Sequence, residues 1–144
     1  DRDYRYLEVN QFLRRLHPEI VGQTEQRIAE LGGSVVRDPA TDLLRINREF
    51  SISLVLARCQ THDDGSYRWK VRFDTSLAPD ITVAVRLDAP NQAPLDYFLL
   101  PRLDFGQPKI CLAERNGIEF ESYRFETLDY LFGMTERTRI RRAS

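Results

Sequence analysis

Residues 52–75 read ISLVLARCQTHDDGSYRWKVRFDT, two strand-like runs around one polar turn. The first run, ISLVLARCQ (52–60), is almost continuously apolar, which predicts a central strand buried on both faces. THDDGS (61–66) concentrates turn-forming residues, so the two runs are expected to pair as an antiparallel hairpin. In the second run Trp69, Val71 and Phe73 alternate with Arg68, Lys70 and Arg72. A strand of period two puts these sets on opposite faces. Three cations, followed by Asp74, therefore point away from the core.

Outward from this stretch, the N-terminal side reads as helix. Leu7, Val9, Phe12, Leu13 and Leu16 predict a short amphipathic helix over 4–16. Pro18 suits the first turn of a second helix over 18–31, whose stripe is Ile20, Val21, Thr24, Ile28 and Leu31. Gly32-Gly33 supplies its stop. Further strands are expected at 34–38, 43–47, 81–88 and 95–102, with Pro101 ending the last or placing it near an edge. Asn116-Gly117 reads as a hairpin turn between ICLAE (110–114) and IEFESYRF (118–125). FETLDYLFGM (125–134) reads as a closing helix, and TERTRIRRAS as a charged extension. The expected fold is a single α+β domain over 1–144: N-terminal helices, a central mixed or antiparallel five-stranded sheet, and a C-terminal helix. The sequence starts at Asp1 rather than Met, and is expected to be part of a longer protein.

Composition narrows the class. With 42% hydrophobic and 30% charged residues, the 144-residue chain has the balance of an ordinary globule large enough for its own core. It has no apolar run approaching the ~18 residues of a membrane span and no signal peptide, so a cytoplasmic protein without a membrane partner is expected. The net charge of −1 advertises no global field for nucleic acid. Of the 21 basic residues, however, only Lys70 and Lys109 are lysine. Arginine's planar fork suits phosphate and carboxylate, although a GC-rich genome produces the same bias. Cys59 and Cys111 read as free buried thiols. His17 and His62 are expected to take no catalytic part.

Familiar catalytic signatures are missing. The chain has no GxGxxG, GxxxxGK[ST] or GxSxG. Cys59 and His62, three apart on a strand, point to opposite faces. Carboxylates are plentiful, and metal-assisted phosphodiester hydrolysis needs two or three of them converging beside a lysine-like group.

The order SISLVLARC, RWKVRFDTS, DITVAVRLD and PLDYFLLP resembles the core of the PD-(D/E)XK nuclease superfamily over roughly residues 18–102. In that family an acid opens one hydrophobic strand and the next ends in (D/E)-x-K. The resemblance puts the acid near Phe50-Ser51-Ile52, with Glu49 adjacent, and the second motif on Lys70-Val71-Arg72. A cation in an acid's place repels Mg²⁺, and arginine replaces the compact lysine. The resemblance therefore implies a degenerate nuclease-like module with no catalytic residues and no cofactor. It implies DNA, and the rest of a parent protein or complex, as partners, in a bacterial recombination, mobile-element or defence system.

Two rivals stay open. One is an active Mg²⁺-dependent endonuclease with a displaced site, using Glu49, Asp74 and Lys70, with metal held by Asp42, Glu49 and Asp74; Glu30 is a further acid for such a site. The other is a protein–protein interaction domain. Expected nucleic-acid contacts are Arg68, Lys70, Arg72 and Arg86, with Arg137, Arg139, Arg141 and Arg142 of the tail. The cationic row is either an ordinary solvated face, ion-paired to neighbours such as Arg86-Asp88's strand, or a phosphate-facing one whose members stand ~6.5–7 Å apart. Tyr97, Phe98 and Tyr123 are either core residues or base-stacking platforms.

Overall fold

The computed structural model describes residues 2–74, 76–102, 105 and 107–130, with the backbone alone at 2–10, 119 and 130. Helix α1 (Arg2–Glu30) is followed by strands β1 (Val35–Arg37), β2 (Leu44–Ile46), β3 (Phe50–Ala57), β4 (Cys59–Thr61) and β5 (Tyr67–Arg72). Strands β6 (Ile81–Leu87), β7 (Pro94–Pro101) and β8 (Lys109–Ala113) come next. A short helix α2 (Ile118–Glu121), strand β9 (Arg124–Phe125) and a 3₁₀ turn (Leu128–Tyr130) complete the described chain.

The two expected N-terminal helices are one, running through Pro18. An interior proline costs about 3 kcal/mol because it removes a hydrogen bond and crowds the preceding turn. The flanking residues offset this: Ile20, Val21 and Ile28 are buried against the sheet, each contributing about 1.5–3 kcal/mol. His17, next to the proline, ties the helix to β3 through Nε2 donating to the Leu54 carbonyl at 2.9 Å. The expected stop is there. Gly32 has φ +87°, and the Gly32 and Gly33 N–H groups donate to Ala29 and Ile28 carbonyls at 3.0 and 2.9 Å. That paired closure requires a left-handed residue, which glycine supplies without strain.

The sheet differs more from expectation. Six strands, not five, form one mixed sheet in the order β1-β2-β3-β6-β7-β9, and β4-β5-β8 form a second, three-stranded sheet. The apolar run 52–60 is interrupted at Arg58: β3 lies in the large sheet and β4 in the small one. Only β4 forms the expected hairpin with β5, Cys59 opposite Trp69. Asn91 fixes the change of layer, its side chain accepting from the Cys59 N–H at 2.7 Å and donating to the Cys59 carbonyl at 3.3 Å. β3 itself pairs in parallel with β6, and the β4–β5 hairpin belongs to the crossover that parallel neighbours require.

Three layers result. One face of the large sheet presents Ile52, Leu54, Ile81, Val83, Val85 and Leu99 to α1. The other presents Ala84, Phe98 and Leu100 to Trp69, Val71, Ile110 and Leu112 of the small sheet. Phe98 is wholly buried, and Tyr97 and Tyr123 are half-buried against the cores, as a packing role requires. No second hairpin forms at Asn116-Gly117. A type I′ turn needs positive φ at both central residues, yet Gly117 has φ −62° and caps α2. Asn116 instead closes back on Ala113, accepting from its N–H at 2.8 Å and donating to its carbonyl at 2.9 Å. The predicted helix over 125–134 is represented by β9 and the 3₁₀ turn up to residue 130, and its remainder lies outside the described residues.

Arg86 joins the two sheets. It is 1% exposed and grips Asp96 on β7 with Nε and Nη2 at 2.7 and 2.6 Å. Its Nη1 donates to the Ala113 carbonyl of β8 at 2.6 Å, and its guanidinium lies 4.4 Å from the Trp69 ring centre. The Trp69 indole N–H donates to the Leu87 carbonyl at 2.8 Å, completing the stitch. Removing one partner of a buried pair strands the other charge, at about 3–5 kcal/mol. Arg86→Met is expected to lower unfolding free energy by up to about that much in urea titration, with Arg124 at 2.9 Å remaining as a second cationic partner of Asp96. The double variant Arg86→Met/Asp96→Leu should recover much of the loss, because no buried charge is then left alone. Equal stability of Arg86→Met and the parent chain would show that the pair does not hold the layers.

Candidate nucleic-acid interface

In β5 the alternation read from sequence is realised. Trp69 and Val71 are buried between the sheets, and Phe73, just past the strand, packs half-buried on the same core. Arg68, Lys70 and Arg72 take the outer face, the last two exposed. The partner strand adds to that face. Lys70 stands opposite Cys111 and Arg72 opposite Lys109, and directly opposed residues share a side. Both lysines of the chain and two arginines therefore meet on the outer surface of the small sheet. Among the described residues none of these four cations forms a salt bridge, and Arg68 donates only to the neighbouring Tyr67 carbonyl at 3.0 Å.

Acids border the row without neutralising it. Asp64, in the β4–β5 turn, is held below the usual carboxylate range chiefly by the Ser66 hydroxyl and N–H, with a smaller contribution from Arg68. At the other end Asp74 is likewise held down by the Ser76 hydroxyl and N–H, at 2.5 and 3.0 Å. Both carboxylates thus close local turns. The cross-strand pairing expected between this row and the Arg86–Asp88 strand does not occur, because β6 lies in the other sheet.

Arg86 itself requires correction. Its sequence position gave it to the basic surface, but it is sealed between the sheets by Asp96, Ala113, Trp69 and Phe98. It is a structural cation. Arg137, Arg139, Arg141 and Arg142 lie outside the described residues. Cys111, expected to be buried, is exposed on the basic face, and Cys59 is buried as expected.

The acids of the displaced-site alternative are scattered. Asp42 precedes β2, whereas Glu49 follows it at the other end of the strand. Asp74 sits near Thr82 at the start of β6, and Lys70 faces outward from the other sheet. Glu30 bonds to Arg27 at the end of α1. Among the described residues no three His, Cys, Asp or Glu side chains are grouped to hold a metal ion. The opening of β3, where the resemblance put the first acid, has Ser51 exchanging hydrogen bonds with Asp80: its N–H donates to Oδ2 at 2.9 Å, and its Oγ accepts from the Asp80 N–H at 3.2 Å. Lys70-Val71-Arg72 is not in the sheet containing β3, so the expected placement of both motifs on one pair of neighbouring strands fails.

An open pocket of about 640 Å³ lies at the far end of β3, lined by Leu13, Arg14, His17, Asp42, Leu56 and Arg58, with Pro18. Sequence reading gave Arg14 and Arg58 no role. Only the break of the apolar run at Arg58 marked the place, and it was taken for a residue inside one strand. Lys109 was missed on the basic face because its pairing with Arg72 joins segments 37 residues apart.

No protein-family model matches the chain, and no curated protein sequence matches it. Among solved structures it resembles a bacterial homing endonuclease, I-Ssp6803I, with a TM-score of 0.50 and 16% identity, over 88% of this chain and 94% of that one. The likeness is one of fold: the mixed α+β architecture is nuclease-like.

Proposed function

We propose that the chain is a nuclease-like module that holds DNA on the outer face of its small sheet and does not cut it. The observation that carries this reading is the meeting of Arg68, Lys70, Arg72 and Lys109 on one face, without salt bridges among the described residues. Four such cations release counterions from phosphates and give affinity without sequence preference. A net charge of −1 is no obstacle, because a local patch sets the field at contact distance once salt screens beyond about 10 Å. The nuclease-like fold supports the choice of nucleic acid as partner. A parent DNA-processing protein or complex would supply sequence choice and any cleavage.

The non-cutting half rests on the pocket at β3. In the PD-(D/E)XK pattern an acid opens one strand and (D/E)-x-K ends the next. Asp42 before β2 and Leu56-Ala57-Arg58 at the end of β3 line one pocket on two antiparallel neighbours, the place that pattern would give its two motifs, without carrying the letters of the second. One acid is then kept. Leu56 offers no oxygen for a metal, and Arg58 brings a spread, permanently charged guanidinium where lysine would give a compact ammonium. Divalent-ion catalysis with a lone carboxylate lacks the second charge that holds the ion in place.

Binding is tested through its salt dependence. Each lost phosphate contact lowers the slope of log K against log salt by about 0.9 on duplex DNA. Arg68→Ala/Lys70→Ala/Arg72→Ala/Lys109→Ala should reduce the slope by about 2–4. Arg15→Ala, on the exposed side of α1, should leave it unchanged. A slope untouched by the quadruple variant, with its fold intact by circular dichroism, would remove the basic face from the reading.

Cleavage is tested separately on supercoiled plasmid with Mg²⁺ or Mn²⁺. The parent chain should leave the plasmid intact. Nicking that disappears in Asp42→Ala would instead establish an active site at the β3 pocket.

A further inference from the structure

A smaller pocket of about 210 Å³ opens at the end of the basic row, lined by Phe73, Asp74, Thr82, Arg102, Phe105 and Gln107, with Ala78 and Pro79. It is continuous with that row along the chain: Phe73 directly follows Arg72, and Gln107 lies two residues before Lys109, which pairs with Arg72. We infer that this pocket receives one unpaired nucleobase of a strand whose phosphates lie on Arg72 and Lys109. The inference rests on the DNA-holding role proposed above and extends it from phosphate contact to base capture.

Several parts of the pocket match that occupant. Phe73 and Phe105 are half-buried and stacked, ring centres 5.9 Å apart and planes 23° apart, and give the pocket an aromatic lining against which a planar ring can pack. Thr82 lines the same space, is 5% exposed, and its side chain makes no hydrogen bond to any described residue. That hydroxyl can both donate and accept, and a base edge supplies the complementary donors and acceptors. Gln107 offers the same dual chemistry at the mouth. Arg102 forms no salt bridge among the described residues, so its guanidinium is available to a phosphate or to a ring face. The volume lies below the ~300 Å³ at which sites for drug-sized ligands begin, which suits one ring system and excludes a stacked pair of bases.

A purely electrostatic surface treats a strand with bases and a strand without them alike. Stacking in a pocket does not. The test compares fluorescence anisotropy of a labelled mixed-sequence single strand with that of an abasic strand of equal length and charge, at low salt. The parent chain should bind the base-containing strand about tenfold more tightly. Thr82→Val/Gln107→Ala, which changes no charge, should reduce that preference severalfold while keeping the salt slope. Equal affinity of the parent chain for the two strands overturns the pocket and leaves the phosphate face standing. A preference that survives the double variant also overturns it, placing base recognition elsewhere. Absence of binding to both strands by the folded protein overturns the DNA-holding role, and the pocket with it.

Discussion

The buried contact of Arg86 with Asp96 constrains everything built on the second sheet. An ion pair out of water gains little net energy over an apolar pair of the same size, since desolvation consumes the Coulombic gain. Its value here is positional. The guanidinium spends its donors on Asp96 of β7 and the carbonyl of Ala113 on β8, with its face on Trp69 of β5. Arg124 on β9 completes the carboxylate's shell at 2.9 Å. A sliding of β5 and β8 over β6 and β7 would break several of these bonds together, leaving a charge unpaired in the interior. The small sheet is thereby held in one register against the large one.

That register decides which side of β5 meets water. With Trp69 and Val71 committed to the inner layer, period two sends Arg68, Lys70 and Arg72 outward without any further instruction. Pairing with β8 then adds Lys109 to the same surface. The row is also a protection, because adjacent cations on a small sheet discourage its edges from joining another sheet. Solubility alone, however, is served as well by mixed charges. The face itself bears four cations, and the exposed, ionised Asp64 and Asp74 stand at its two ends, held in local turns by Ser66 and Ser76, so the positive field is confined to the strands between them.

Features set by local chemistry were legible in the sequence: the glycine stop after Glu30, most strand positions, and the alternation in β5. The failures share a cause in long-range pairing. Pro18 resembles a helix start until the burial of Ile20, Val21 and Ile28 on the sheet is known to offset its cost. The break at Arg58 is a single residue, and only the distant Asn91 clamp shows that the chain changes layer there. Asn116-Gly117 has the composition of a hairpin turn, but the asparagine side chain bonds to Ala113 and starts a helix instead. Arg86 was misplaced for the same reason. Read along its strand it is one more outward cation, and its partner Asp96 identifies it as internal only once β6 and β7 are paired.

Strand pairing also separates the two regions that the nuclease resemblance joins. Strands adjacent in sequence are not adjacent here: Lys70-Val71-Arg72 lies in the small sheet and β3 in the large one. In the structure these are separate regions. The pocket at Asp42 and Arg58 lies between α1 and the end of β3, whereas the basic face belongs to β5 and β8. On the reading proposed above, Leu56 and Arg58 bear on metal-dependent cutting and the four outer cations on phosphate contact. Each can fail alone. The two demands differ in stringency: phosphate contact needs only charge at strand spacing, while hydrolysis needs several oxygens placed to within a fraction of an ångström around one ion.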